Sequence, residues 1–343
     1  MQPLGGEAES RLAAWLEAET GIRNARLGPL LAGGNANVTR LLEAEGRRMV
    51  LRHPPANLVS EKAAAGISRE FTALRALHGR APVPRPLAWC DDASILGQPF
   101  AVTEWLDGLA LSDTLPDAYG EDYSSVNALG CEMIKGLAAV HRVDTSELLL
   151  PGFGQPESFV LRQINRWQDV RARQAVRDLP LLEEIASWLR AHQPSSNRVS
   201  LIHCDFHLDN CLVSRSEPRL LAILDWEMAT LGDPLVDLGL CLFFWRRHSA
   251  RALGFPRVQA LSNRTDALSR TALADLWSEH SGFDHADLRY YMVFSAWRLA
   301  AIVEGAYALF REGKEDNAYV RGLEYDVPRL LIEAAAYIRQ ESI

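Results

Sequence analysis

The chain has no paired C-x-x-C cysteines, no block of like charge, no internal repeat and no low-complexity tract. Each absence removes a class. Five widely spaced cysteines (Cys90, Cys131, Cys204, Cys211, Cys241) fit reduced thiols better than a disulfide framework. A formal net charge of −8 and a pI near 5.7 give no basic stripe for a phosphate backbone, so nucleic acid is not an expected partner. The first residues, Met1-Gln2-Pro3-Leu4-Gly5-Gly6-Glu7, lack a basic region followed by an apolar one. The apolar stretch near Leu235 to Trp245 carries Asp237 and is too short to cross a bilayer. The expectation is a soluble cytoplasmic protein with no membrane partner. Its oligomeric state is not legible.

What is present is material for a large core. Of 343 residues, 48% are hydrophobic, enough for two lobes. Residues 9–20 read as an amphipathic helix, and 27–51 as strand-like runs around the loop Gly33-Gly34-Asn35-Ala36-Asn37. Phe71, Leu74 and Leu77 give a helical period over 69–78, which Pro82, Pro84 and Pro86 end. Strands follow at 87–90 and 100–104. Beyond Leu106-Asp107-Gly108 the pattern turns to long helices at 125–143, 160–176, 181–191, 284–311 and 327–338. The expected division is a sheet-containing lobe over 1–106 and a mainly helical lobe over 107–343, an α+β chain.

The helical part has one strand-like interruption, 200–225, and it contains the most informative residues. His203-Cys204-Asp205-Phe206-His207-Leu208-Asp209-Asn210 places an aspartate five positions before an asparagine, the spacing of a kinase catalytic loop. A strand at 211–213, a turn at 215–218 and a strand at 219–224 form a hairpin that brings Asn210 and Asp225 to its open end. A carboxylate and an amide oxygen suit magnesium, with nucleotide phosphates as further ligands. Asp205 is then left to take the proton of a substrate hydroxyl. Ordinary turns also use Asp and Asn, but the joint spacing favours chemistry. His203, Cys204, His207 and Cys211 match no common zinc spacing.

These segments resemble a known family. His203 to Asn210 and Ile223-Leu224-Asp225-Trp226-Glu227-Met228-Ala229-Thr230-Leu231-Gly232-Asp233-Pro234-Leu235-Val236-Asp237-Leu238 look like the H-G-D-x-x-x-x-N and D-W-E-x-x-x-x-G-D-P-x-x-D-L signatures of the aminoglycoside phosphotransferase (choline/ethanolamine kinase-like) small-molecule kinases. The resemblance implies a bilobal protein-kinase-like fold holding ATP between lobes. It assigns Asp205 as catalytic aspartate, Asn210 and Asp225 as Mg2+ ligands, and Glu104, Trp105 and Leu106 as the hinge beside adenine. It also implies that Arg52, on Met49-Val50-Leu51-Arg52, contacts phosphate with Glu70 as its partner. The family more usually has lysine there. Val50-Leu51-Arg52-His53-Pro54-Pro55 is similar to a subgroup that includes kinase-like domains fused to acyl-CoA dehydrogenases. Cys204 stands where the family usually has glycine. Gly33, Gly34, Asn35 and Asn37 would bring backbone N–H groups to phosphate.

The expected activity is transfer of the γ-phosphoryl group of ATP to a hydroxyl of a small molecule. The resemblance to the subgroup fused to acyl-CoA dehydrogenases implies a hydroxylated metabolite or acyl-CoA rather than an antibiotic, and the acids of the second part, dispersed among arginines, do not suggest a site for a polycationic aminoglycoside. The alternatives are a silent kinase-like nucleotide-binding module and a metallohydrolase built on His203, Asp205 and His207. His203 is expected to support the loop, Asp233 to cap a helix, and Asp237 to brace the loop from one turn further on. Arg298 and Glu304 either line the acceptor cleft or pair locally.

Overall fold

The structure is a computed structural model that describes residues 6–31, 37–55, 61–111, 113–120, 124–247 and 258–339. It resolves into two compact units. The first comprises 1–108, 146–153 and 221–229; the second comprises the remainder.

In the first unit, α1 (Gly6–Thr20), β1 (Arg26–Leu30), β2 (Val38–Ala44), β3 (Arg47–His53), α2 (Glu61–Leu77), β4 (Pro86–Cys90), α3 (Ala93–Leu96) and β5 (Phe100–Glu104) follow one another. The strands form an antiparallel sheet of order β1-β2-β3-β5-β4. The strand-like stretch read over 27–51 thus holds three strands, β1 to β3, and extends to His53. β2 and β3 are joined by Glu45-Gly46, both at positive φ, the two-residue turn whose twist suits a hairpin. Period-2 alternation then sorts β3. Met49 and Leu51 face Leu12 and Leu16 of α1, with Phe100 and Val102 completing that core. On the other face Ile67 and Phe71 of α2 cluster with Ala101. Arg52, out of phase with Leu51 and paired in register with Ala101, therefore meets α2.

Two sequence-distant segments complete this unit. Glu147 pairs with Arg80 at 3.2 Å, and the N–H of Ile223 donates to the Pro82 carbonyl at 2.8 Å. Arg69 gathers both, donating to the carbonyls of Gly152 and Ala229 and lying 5.3 Å from the Phe153 ring.

The second unit contains α4 (Ser124–His141), α5 (Phe159–Gln174), α6 (Pro180–Ala191), α7 (Leu235–Phe244), α8 (Arg270–Ser281), α9 (Leu288–Arg311) and α10 (Ala318–Ile338). β6 (Gly108–Ala110) opens it, and β7 (Ser200–Ile202) pairs antiparallel with the later β10 (Thr230–Gly232). Between them in sequence lie β8 (Cys211–Ser214), followed by a turn closed by the Ser214 N–H on the Arg219 carbonyl at 2.9 Å, and β9 (Leu220–Ile223), all but its first residue belonging to the first unit. Every residue of α7 is buried, so it runs through the core with no polar stripe. Gly239 lets α9 approach: a Cβ there would lie 2.8 Å from the backbone of Tyr291. α9, not the 235–245 stretch, is the helix long and apolar enough to cross a membrane. Its most apolar window is 61% buried within the protein, as a core helix is.

Candidate active site

The residues singled out by sequence fall into two sets, one in each unit. In the first unit, β3 delivers Arg52 and α2 delivers Glu70. The chain leaves β9 into Asp225, whose left-handed backbone (φ 67°) turns it sharply into the short helix at Trp226–Met228. The Arg52 guanidinium donates from Nη1 to Glu70 Oε1 and from Nη2 to Asp225 Oδ1 at 3.1 Å. One planar cation thus joins two carboxylates, a use for which its fork is well shaped.

Burial alone would lower the Arg52 pKa, but Glu70, Asp225 and Glu227 outweigh it and hold the guanidinium firmly charged. Glu70 experiences the opposite balance. Burial raises its carboxyl, Arg52 lowers it, and Asp225 and Glu227 raise it again, to about 7. Glu227 belongs to the same group of charges and accepts from Asn37 Nδ2 at 2.6 Å. Glu227 has no role legible in sequence alone beyond its place in the Asp225-Trp226-Glu227 run, which is its one signal. Gly33, Gly34 and Asn35 lie outside the described residues.

Glu104 ends β5 with both its backbone and its side chain fixed. Its N–H donates to the Arg85 carbonyl at 2.9 Å, and its carboxylate accepts from the Arg85 N–H at 2.7 Å. Trp105 lies under the Arg48 guanidinium at 5.0 Å, and the Leu106 carbonyl accepts from Gly108 N–H at 3.0 Å.

In the second unit, β7 ends at Ile202 and the chain enters the loop bearing Asp205. Two buried groups shape it. Asp237, in the first turn of α7, accepts the His203 N–H at 2.6 Å and the Cys204 N–H at 2.7 Å. His141 of α4 lies 3.2 Å from the same carboxylate, and Trp277 of α8 donates to the other His141 ring nitrogen at 3.1 Å. That donation fixes the tautomer, leaving the proton on Nε2 facing Asp237. From α9, Arg298 donates to the Cys204 carbonyl at 2.8 Å. His203 is fully buried and accepts the Asp205 N–H at 3.2 Å.

Asp205 itself is half exposed. Burial pushes its carboxyl up, but His207, by hydrogen bond and charge, with His203 and Arg298, more than offsets this and holds it below the usual range. It is a ready carboxylate at neutral pH. Asn210 ends the short helical turn 208–210 and donates from Nδ2 to the Asp205 carbonyl at 2.8 Å. That bond leaves the amide Oδ1 as an oxygen donor. Gln259 fastens the loop from behind: its side chain accepts the Leu208 N–H and donates to the Cys241 carbonyl, while its N–H donates to Asp209.

The roles of Arg298, His141 and Gln259 were not readable in sequence, because their partners are other chain segments. Glu304 does not touch this loop; Arg177 holds it in a bidentate pair. Asp233 receives the Leu235 N–H at 2.9 Å, as a capping carboxylate does, and is also bound by Arg198 and Ser196.

Asn210 Oδ1 in the second unit and the Asp225 carboxylate in the first are each oxygen donors of the kind a hard divalent cation takes. No cluster of three His, Cys, Asp or Glu suited to a metal occurs among the described residues.

A five-stranded sheet with an Arg–Glu pair, followed by a helical unit carrying Asp-x-x-x-x-Asn, defines a kinase-like phosphotransferase. The chain belongs to the phosphotransferase enzyme family, whose family model matches residues 28–289. It is 31% identical over 298 residues to mouse (Mus musculus) acyl-CoA dehydrogenase family member 10, a match covering 83% of this chain and only 27% of that protein. The chain thus spans about a quarter of that relative's length. Among solved structures it is similar to a Ralstonia eutropha chain described as a candidate aminoglycoside phosphotransferase, with 26% identity, TM-score 0.79 and coverage of 96% and 98% of the two chains. It shares the fold of APH(2")-IIa, solved in ternary complex with streptomycin and ATP, at 16% identity and TM-score 0.56 over 88% and 91% of the chains.

Proposed function

We propose that this protein transfers the γ-phosphoryl group of ATP to a hydroxyl of a small molecule, with Asp205 as base and with Asn210 and Asp225 as magnesium ligands. The observation that carries the reading is Asp205: a half-exposed carboxylate held ionised on a loop braced by Asp237, with Asn210 bonded to its own carbonyl. Asp205 would accept the acceptor's hydroxyl proton while aligning that oxygen with the phosphorus. Arg52 would grip phosphate oxygens, anchored by Glu70, with Glu104, Trp105 and Leu106 beside adenine. Magnesium, when bound, would offset the phosphate charge; positioning and electrostatics by the chain would do the rest.

The favoured acceptor is a hydroxylated metabolite or acyl-CoA, supported by the likeness to an acyl-CoA dehydrogenase family member and by arginines interspersed among the acids. The protein is expected to act in the cytoplasm, without nucleic acid or membrane partners. The test is mass spectrometry of a metabolite extract incubated with protein, magnesium and ATP, with Asp205→Asn as control. New phosphorylated species made only by the unaltered protein are expected, and their mass names the acceptor. Magnesium-ATP binding without any product would favour the silent nucleotide-binding module. Failure to bind nucleotide would overturn the reading.

A further inference from the structure

We propose that Arg298 is a positioning residue: together with Asp237 it locks the Cys204 peptide in a left-handed conformation that a side chain resists, and so sets the backbone from which Asp205 projects. The proposal rests on the reading of Asp205 as the catalytic carboxylate.

Cys204 has φ 68°, a region that glycine enters freely and that a Cβ disfavours. A residue held there persists only where its surroundings over-determine it. The surroundings here act on both sides of the same residue. Its N–H is taken by Asp237 Oδ1 at 2.7 Å, and its carbonyl receives Arg298 Nη1 at 2.8 Å. The preceding N–H, of His203, goes to the other oxygen of Asp237 at 2.6 Å. Both peptide planes flanking the Cys204 Cα are therefore fixed, one from α7 and one from α9. Asp205 begins at the second of them.

The arginine is costly where it stands. It is 7% exposed, among Ala296, Trp297 and Ala300 of an apolar helix, and its Nε has no hydrogen-bond partner among the described residues. Leucine or methionine would suit that helix better. What an apolar residue cannot do is hold the Cys204 carbonyl. A glycine at 204 would reach the same conformation with no clamp, so the need for Arg298 follows from the Cys204 side chain.

The experiment is a cycle of four proteins: unaltered, Arg298→Gln, Cys204→Gly and the double variant. The first readout is magnesium-dependent ATP hydrolysis, with water as acceptor. Arg298→Gln is expected to lower kcat by about tenfold or more, with the KM for ATP changed by less than about twofold. Adding Cys204→Gly should restore most of the lost kcat. Arg298→Lys, whose ammonium reaches one bond short of the Arg298 Nη1 position where the glutamine amide falls two bonds short, should fall between; it replaces Arg298→Gln in the cycle if the glutamine variant does not fold. The second readout is urea unfolding of the same four proteins, which needs no activity. Arg298→Gln should cost less stability when Cys204→Gly is also present. Independent effects, with no rescue in either readout, would overturn the proposal. If the unaltered protein hydrolyses no ATP, that counts against the phosphotransferase reading, and the unfolding cycle alone decides the clamp: coupling supports it and additivity overturns it.

Discussion

Among single residues, Arg52 carries the sharpest consequence. Its side chain is 14% exposed and that of Glu70 is 6% exposed, so removing the cation strands a buried carboxylate. Arg52→Met should destabilise the protein increasingly as pH rises above about 7 in urea unfolding, because Glu70, already raised to about 7 beside Arg52, is raised further without it and stays protonated in the folded state while the unfolded chain releases its proton. Arg52→Lys should cost much less stability but weaken nucleotide binding, since an ammonium cannot repeat the two-armed contact with Glu70 and Asp225. Nucleotide affinity measured by calorimetry on both variants separates the two effects. Sequence placed Arg52 on a strand and Glu70 on a helix, which was enough to name both. It could not show that Asp225 and Glu227 surround the same guanidinium, because those contacts span some 170 residues of chain. The left-handed backbone of Cys204 was likewise foreshadowed only by a cysteine standing where glycine is usual.

For the elements, legibility followed amphipathic contrast. Helices with one buried face, such as α5 and α6, were bounded within a residue or two by their apolar period. α2 begins at Glu61, eight residues before the expected start, since Glu61 to Ser68 is rich in alanine and carries no apolar period. Gly66 in that stretch lowers helix propensity further, and it faces Glu227, whose Cβ would lie 3.6 Å from a Cβ at 66, an ordinary van der Waals contact. α8 escaped notice although Ser269 caps it, accepting the Ala272 N–H at 3.0 Å. The close approach of α7 and α9 yields the element-scale prediction. Gly239→Ala would place a methyl 2.8 Å from the Tyr291 backbone, which a side-chain rotation cannot relieve. A loss of about 1–3 kcal/mol is expected, read as a lowered urea midpoint with an unchanged slope. α9 also carries Arg298, so the same substitution should lower activity by more than its effect on the folded fraction.

At the scale of the whole molecule, the α+β division was legible because the two halves differ in sequence texture, short strands before residue 105 and long helices after it, while its kinase-like form was implied by the family resemblance of residues 203–238. Binding offers the matching prediction. A ligand selective for the folded state stabilises by mass action, about 2.7 kcal/mol at a hundredfold excess over Kd. Magnesium-ATP should therefore raise the thermal midpoint by several degrees, and ATP with a chelator should raise it less. Asp225→Ala should abolish the difference between the two, whereas Asp205→Asn should preserve it. Equal responses in both variants would contradict the assigned division between metal ligand and base.

The excursions at 146–153 and 221–229 bear on how the protein is made. The first unit lacks part of its own interior until Ala229 has been synthesised, since the anchor points of Arg69, the partner of Arg80 and the strand end that meets Pro82 all arrive late. A ribosome carrying only the first 108 residues holds a sheet whose Arg52 has Glu70 but not Asp225. Folding from the N-terminus therefore cannot finish in order, and no single cut of the chain releases the whole of the first unit.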